Sequence, residues 1–334
     1  DVETDPFYGA PCVIVVLADP DMPTWIDDGS LVLGNLMNAA HALGLGSCYI
    51  GDITENFEYH RELLKLLSAE MAAAGVPDAD VDAQLLLSHV TGQNPLNLRL
   101  DSWSQVSLAD EEQFRALCEK RKTRTPLQYL TGVQSFLGRD FDVDERVLIP
   151  RPETELLCEV VLKYFSRTMP PKTVDLCSGS GCIAITLAKE LPGADVTAVE
   201  LYEEAFGYLS KNNEFHGNPV KTVKGDALEP FGNFDCIVSN PPYITDEEMK
   251  ELQTEVTFEP ETALFGGTDG LDFYRAISKN WYSHLNEGGL IAFEIGDTQA
   301  KDVISLMQQD FEEIACFQDL SGLDRVVRGR RKKA

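Results

Sequence analysis

Thr173-Val-Asp-Leu-Cys-Ser-Gly-Ser-Gly-Cys-Ile-Ala-Ile-Thr-Leu-Ala-Lys-Glu-Leu191 decides the fold of this chain. Residues 173–176 read as a buried strand, and residues 183–191 read as a helix that follows almost at once. Between them Gly179 and Gly181 let the backbone turn tightly and approach a ligand closely, at the positive end of that helix. Cys177, Ser178 and Ser180 complete the loop, and Asp175 stands where the strand runs out. A glycine pair is a weak signal alone, but from Pro170-Pro171 onward the chain keeps alternating. Further strands read at 195–199, 220–223, 234–238, 290–294 and about 313–317, with 325–328 as a last short one and helices between them. Alternation of this kind gives an α/β fold with a mostly parallel, doubly wound sheet, whose ligands sit at the carboxyl ends of the strands.

Three strand ends carry chemistry. The second strand stops at Glu200, where a carboxylate can grip the two hydroxyls of a ribose. NAD is held by the same geometry, yet here Cys-Ile-Ala follows Gly181 in place of a third spaced glycine. The third strand ends in Lys224-Gly-Asp-Ala227, where Asp226 either accepts from an adenine amine or caps its own loop, with Ala227 beside it. The fourth ends in Val238-Ser-Asn-Pro-Pro-Tyr243, and the rings of Pro241 and Pro242 hold the backbone still. Asn240 Oδ1 and the Pro241 carbonyl then form two fixed acceptors for a planar NH2 group, and the Tyr243 ring offers a face to the rest of it. The run reads as a receptor for an amide-like nitrogen.

Upstream the pattern changes. Residues 1–55 supply one strand-like run and one small-residue helix, too little to bury a core, whereas 56–125 read as a small helical domain. In that domain Gly75 stops the first helix, residues 81–90 carry a second apolar face, and Ser107-Leu-Ala-Asp110 is a capping box for a third. Its charged residues read as solvated faces, with a binding platform as the functional alternative. Residues 126–150 form a connector in which Ser135-Phe-Leu-Gly-Arg-Asp-Phe-Asp-Val-Asp144 alternates about a glycine turn, so a β-hairpin is expected. Pro150 and Pro152 then bracket Arg151 in extended backbone, and Glu153 and Glu155 open a helix, where negative charge is favoured. Arg151 and Glu153 are divided between interdomain bonding and shaping a pocket. The catalytic unit is placed at 151–330, and the basic end, Arg328-Gly-Arg-Arg-Lys-Lys-Ala334, is read as a solvated tail, with 331–334 beyond the domain.

Composition narrows the class. With 28 basic against 55 acidic residues the net charge is −27, which repels a phosphate backbone and suits a basic partner protein. Hydrophobic residues make up 43%, but no run reaches the ~20 apolar residues of a membrane span, and the chain opens without a basic-then-apolar signal pattern. A cytoplasmic protein, acting as a monomer without nucleic acid or membrane, is expected. Eight scattered cysteines without CxxC pairs, and five histidines without ligand spacing, predict buried thiols and no metal site.

Taken together, the glycine loop, Glu200, Gly225-Asp226 and Asn240-Pro-Pro-Tyr243 resemble the Rossmann-like methyltransferases that use S-adenosylmethionine. Gln128-Tyr-Leu-Thr-Gly132, Val147-Leu-Ile-Pro-Arg-Pro-Glu-Thr-Glu155 and Phe258-Glu-Pro-Glu-Thr-Ala-Leu264 narrow the resemblance to the HemK-type glutamine methyltransferases of peptide chain release factors, over about 60–330. The resemblance implies methylation of the Gln amide in a Gly-Gly-Gln motif, with S-adenosylmethionine on Asp175, Cys177, Ser178, Gly179, Ser180, Gly181, Glu200, Asp226, Ala227 and Asn240. Asn240, Pro241 and Tyr243 take the catalytic roles. The substrate falls to these three with Pro242, Arg151, Glu153, Phe258 and Glu259, residues 258–264 either closing over it or merely covering the sheet. The family usually has Gly where Cys177 stands and Asp where Glu200 stands, so weaker tuning of cofactor binding is expected. Ala227 stands where some members carry an aromatic residue. Residues 9–51, with Gly9-Ala-Pro-Cys-Val-Ile-Val-Val16 and Gly34-Asn-Leu-Met-Asn-Ala-Ala-His-Ala-Leu-Gly-Leu-Gly-Ser-Cys-Tyr-Ile-Gly51, separately resemble part of the nitroreductase family, without that family's basic phosphate-holding segment. They are read as a non-functional fragment. The rival functions are a nucleic-acid amino methyltransferase, whose bases present the same planar NH2, a flavin oxidoreductase built on residues 9–51, and a nonenzymatic helical binding module.

Overall fold

The computed structural model describes residues 52–94, 106–165 and 169–333, with side chains from Glu62 onward. The fragment expected at 1–55 lies outside these residues except at its end, where 52–55 open the first helix, so the boundary placed at 55 falls inside a helix.

Three helices form the first unit, α1 (Asp52–Ala73), α2 (Ala79–Thr91) and α3 (Leu108–Lys122). Leu63, Leu67 and Met71 recur every fourth residue along α1 and therefore share one face, buried against Ala83, Leu86 and Leu87 of α2 and Phe114 and Cys118 of α3. The capping box forms as read: the Asp110 N–H donates to Ser107 Oγ at 3.1 Å, and the Ser107 N–H donates to Asp110 Oδ2 at 3.0 Å. The connector follows as α4 (Leu127–Thr131), β1 (Val133–Phe136) and β2 (Arg139–Asp142). Leu137 and Gly138 turn the hairpin with φ of 45° and 73°, the paired positive angles that match strand twist. The Leu137 N–H donates to Glu155 Oε1 at 2.7 Å, which fastens the hairpin to α5 (Pro152–Phe165).

The catalytic unit continues with β3 (Lys172–Leu176), α6 (Cys182–Glu190), β4 (Asp195–Glu200), α7 (Glu203–Phe215), β5 (Lys221–Lys224), β6 (Phe234–Ser239), α8 (Asp272–Asn280), β7 (Leu285–Glu294), α9 (Ala300–Met307), β8 (Phe311–Gln318) and β9 (Asp324–Arg331). The seven strands lie in the order β5-β4-β3-β6-β7-β9-β8. β3 to β7 run parallel, and β9 is antiparallel to both its neighbours. One face packs on Leu157 and Val161 of α5, Ile185 of α6 and Leu209 of α7, the other on Tyr274 and Ile277 of α8, Trp281, and Val303 and Met307 of α9. The chain leaves β3 toward β4 but leaves β6 toward β7, so the loops after these adjacent strands diverge and open a crevice. Leu176 pairs with Ser239, which brings Cys177 and Asn240 level at that crevice.

Two expectations are corrected. Helices do not separate every pair of strands: residues 225–233 join β5 to β6 without one, and β8 and β9 form an antiparallel pair. The basic end is no solvated tail, because β9 extends through Arg331. The Arg328 guanidinium lies over the rings of Tyr164 and Phe317, Arg330 pairs with Glu312 and Glu313, and Arg331 lies over Tyr282. Each charge is absorbed by a neighbour that is remote in sequence, and Lys332 also donates to the Gln308 and Gln309 carbonyls. Among the described residues no helix is long and apolar enough to cross a membrane. Of the eight cysteines, six lie among the described residues and all six are free.

Candidate active site

The loop after β3 is braced from within. The Ser178 hydroxyl donates to the Asp175 carbonyl at 2.9 Å and accepts from the Val199 N–H at 3.0 Å, so its side chain ties β3 to β4. Gly181 begins α6 at φ 83°, and a Cβ there would stand 2.6 Å from Leu209 Cδ1, closer than any side chain tolerates. Asn212 of α7 donates to the Ser180 carbonyl at 2.9 Å. Below the loop, Asp175 is fully buried, with Oδ2 accepting from the Ala184 N–H at 3.2 Å and Oδ1 meeting no partner among the described residues. Burial pushes its carboxyl up to about 8.

A cavity of about 260 Å³ opens above this loop. Glu200 stands on its floor, Oε2 accepting from the Gly179 N–H at 2.9 Å and Oε1 from the Tyr202 N–H at 3.0 Å, two bonds that fix the carboxylate in place. Asp226 lines the same cavity but also caps its own loop, accepting from the Leu228 N–H at 2.8 Å. Val199, Leu201, Ala227 and Phe273 supply apolar walls. Of the other residues expected to hold the cofactor, Cys177, Ser178, Gly179, Ser180 and Asn240 line it whereas Asp175 and Gly181 do not; Pro242, expected to face the substrate, lines it too, and Pro260, Thr262 and Ala263 close one side. Part of the 258–264 segment therefore faces this cavity.

Asn240 leaves β6 half-buried, and its Nδ2 donates to Thr154 Oγ1 of α5 at 3.3 Å. The polypeptide behind it is clamped by residues 264–270. The Ile244 N–H donates to the Leu264 carbonyl at 2.8 Å, and the Gly266 N–H returns a bond to Ile244 at 2.9 Å. Gly266 comes so close that a Cβ would sit 2.5 Å from Tyr243 Cα and 2.6 Å from the Pro242 carbonyl oxygen. Gln299 Nε2 donates to the Tyr243 carbonyl at 3.0 Å. Pro241 is buried within this clamp, and burial raises the pKa of the Tyr243 phenol.

Tyr243 faces a second cleft, between the helical unit and the sheet, which Glu153 and Arg151 also line. Arg151 pairs with Glu259, whose other oxygen accepts from the Ile149 N–H at 3.1 Å, so these two residues lock the 258–264 segment to the start of α5. Phe258 is exposed and lines neither cleft. A further clamp crosses the cleft: buried Arg121 of α3 donates to Asp82 of α2 at 2.7 Å and to Glu255 at 3.2 Å, and Arg124 donates to Glu255 at 2.6 Å. With those arginines engaged, Glu153, Glu248, Glu251, Glu294 and Asp297 leave the cleft acidic.

Two family models match the chain, one described as the PrmC N-terminal domain over residues 62–132 and one as the methyltransferase small domain over 153–264. A protein of Chlorobaculum tepidum named release factor glutamine methyltransferase is 40% identical over 278 residues, 79% of this chain and 94% of its own length. Proteins of the same name from Geobacter sulfurreducens and Deinococcus radiodurans are 39% and 35% identical, each over 81% of this chain and 96% and 98% of their own lengths. The chain belongs to the release factor glutamine methyltransferase family. It is a protein methyltransferase with a Rossmann-like catalytic sheet and a small helical unit before it.

Against the residues usual in release factor glutamine methyltransferases, Cys177 is the departure with a physical cost. Its φ is 60°, in the left-handed region where a Cβ costs roughly 1–2 kcal/mol. Cys177→Gly removes that strain, whereas Cys177→Ala keeps it and loses the sulfur. Denaturant unfolding is expected to find the Gly variant more stable than the Ala variant by about 0.5–1 kcal/mol, once the extra freedom of glycine in the unfolded chain is counted. The reverse ranking would show that the loop relaxes around Cβ.

Sequence reading missed Thr154, Glu294, Gly266 and the Arg121–Glu255 clamp. Thr154 stands in the Pro150-Arg-Pro-Glu-Thr154 run, whose charged residues carry the stronger sequence signal. The others carry no local signal, since their roles arise from contacts between distant segments.

Proposed function

We propose that this chain methylates N5 of the glutamine side chain in the Gly-Gly-Gln motif of a peptide chain release factor, taking the methyl from S-adenosylmethionine. The observation that carries this reading is that Asn240 stands beside the glycine-loop cavity while Tyr243, three residues on, faces the acidic interdomain cleft. One short, clamped run thus touches both a cofactor-sized cavity and a groove open to a protein segment.

The residues in the first cavity fit the cofactor. Glu200 suits a ribose diol, and the apolar walls suit an adenine ring. When bound, S-adenosylmethionine supplies an electrophilic methyl on a sulfonium. The task left to the chain is to hold a poor nucleophile, since the lone pair of an amide is delocalised into its carbonyl. Asn240 Oδ1 and the Pro241 carbonyl accept the two N–H bonds of the substrate, Tyr243 walls the amide plane, and Pro242 stiffens the run. Fixed orientation of this kind lowers a barrier by up to ~7–11 kcal/mol in favourable cases. No general base is needed beforehand, because the nitrogen becomes acidic only as it gains the methyl and then gives its proton to a carbonyl acceptor or water. Arg151 and Glu259 hold the 258–264 segment over this site, and Glu153 belongs to the acidic wall that receives a basic segment of the partner.

Incubation with methyl-labelled S-adenosylmethionine is expected to label a release factor and to fail on its Gln→Ala variant. Label on tRNA or DNA in place of the protein would replace this reading with that of a nucleic-acid amino methyltransferase.

A further inference from the structure

Glu255 joins the helical unit to the segment that walls the cofactor cavity. Its Oε1 accepts from Arg121 Nη1 and Nη2, each at 3.2 Å, and from Arg124 Nε at 2.6 Å, while Oε2 accepts from Arg124 Nη2 at 2.5 Å. Arg121 is in turn fixed inside the helical unit, donating to Asp82 Oδ2 of α2 at 2.7 Å and to the Thr125 carbonyl at 3.2 Å. Its side chain is only 5% exposed, so water does little to replace a lost partner. Arg124 stands just past α3 with φ 69°, the left-handed backbone that ordinarily falls to glycine at a helix end. A longer side chain held there points to surroundings that over-determine it, and the two-pronged grip on Glu255 is part of them.

From Glu255 the backbone runs to the site through tight turns. Over Val256–Phe258 the Phe258 N–H donates to the Glu255 carbonyl at 3.2 Å and the Glu259 N–H to the Val256 carbonyl at 3.0 Å. Glu259 is locked by Arg151 and by the Ile149 N–H. A second turn, Glu261–Ala263, presents Pro260, Thr262 and Ala263 to the cofactor cavity, with the Ala263 N–H donating to the Pro260 carbonyl at 2.9 Å and the Leu264 N–H to the Glu261 carbonyl at 3.0 Å. Leu264 and Gly266 then bond Ile244, the neighbour of Tyr243. A path of hydrogen bonds and tight turns therefore leads from a buried arginine of the helical unit to the wall of the cofactor cavity and on to the end of the Asn240–Tyr243 run.

Burial alone raises the Glu255 carboxyl, yet the bonds from Arg124 and Arg121 outweigh it and leave the carboxyl below its usual range, so the clamp stays charged at neutral pH. We propose that Glu255 is a positioning residue through which the helical unit holds residues 260–263 against the cofactor cavity. Glu255 itself lines the other cleft, so its loss loosens cofactor binding and slows methyl transfer from a distance. The inference rests on the glutamine methyltransferase reading for turnover, whereas cofactor affinity and amide exchange are read without a substrate.

The test uses the full chain with Glu255→Gln, Arg124→Met and the two combined. Glu255→Gln keeps the shape but turns an NH2 toward one of the arginines, whereas Arg124→Met leaves Arg121 bonded to Asp82 and Glu255 and serves if the first variant folds poorly. Titration with S-adenosylmethionine is expected to find Kd raised about three- to tenfold in Glu255→Gln and by less in Arg124→Met. On the release factor kcat should fall by about tenfold or more in Glu255→Gln. The double variant should be little worse than Glu255→Gln, because both changes remove the same contact. Hydrogen exchange separates positioning from plain loss of stability: the Ala263 and Leu264 amides should exchange faster in the variants, while those of Val174 in β3 and Ile237 in β6 keep wild-type rates. Wild-type Kd and wild-type exchange at Ala263 and Leu264 in folded Glu255→Gln would overturn the proposal, as would equal acceleration at Val174 and Ile237. A wild type that binds the cofactor but leaves the release factor unlabelled would instead count against the glutamine methyltransferase reading, and the Kd and exchange results would still decide the role of Glu255.

Discussion

Asn240→Ala is expected to lower kcat for glutamine methylation by about 10²–10³-fold, or about 3–4 kcal/mol, comparable to deleting one preorganised polar group from an active site. The side chain is held at 3.3 Å from Thr154 on one side, and its oxygen is one of only two acceptors proposed for the reacting NH2. Truncation leaves the Pro241 carbonyl alone, so the nitrogen can rotate away from the methyl. Cofactor affinity should change by far less, because Glu200 and the glycine loop are fastened by their own backbone bonds. Single-turnover kinetics with a separate cofactor titration distinguish the two quantities. Equal loss of both would mean that Asn240 mainly holds the cofactor.

The second large effect is expected at a residue that lines neither cavity. Gly266→Ala places a Cβ 2.5 Å from Tyr243 Cα and 2.6 Å from the Pro242 carbonyl oxygen, and both are backbone atoms that cannot swing aside. The Asn240-Pro-Pro-Tyr243 run must shift, and a displacement near 1 Å is enough to cost about 10²-fold in rate. Overpacking should also lower stability by about 1–3 kcal/mol. Activity at a temperature well below the unfolding midpoint, measured beside thermal unfolding, checks both. Wild-type kcat in a folded Gly266→Ala protein would mean that the clamp does not set the geometry of the site.

The parallel sheet was readable because each strand is a short apolar run closed by a turn, and because Gly179 and Gly181 could serve only a tight crossing into a helix. The hairpin and the Ser107 cap were readable for the same reason: each is made by residues within a few positions of one another. Asn240, Glu200 and Asp226 announced themselves at strand ends, although Asp226 also caps its loop as the plainer reading had it. What stayed hidden depends on contacts between distant segments. Arg328, Arg330 and Arg331 looked like a free basic run until pairing with β7 and β8 gave each a carboxylate, carbonyl or ring. Glu259 was legible as part of a motif, but its lock on Arg151 and the Ile149 N–H was not. Glu294 was one more acid in an acidic chain, and only its burial at the end of β7 against the interdomain cleft sets it apart.

The central claim is that the acceptor is a glutamine side-chain amide of a release factor. Its most direct test is mass spectrometry of the release-factor peptide that contains the Gly-Gly-Gln motif, after incubation with the purified full chain and S-adenosylmethionine. The account predicts one added methyl, located on the N5 nitrogen of that glutamine by fragmentation and absent with Asn240→Ala. A methyl on another residue, or an unmodified peptide beside methylated nucleic acid in the same mixture, would contradict it.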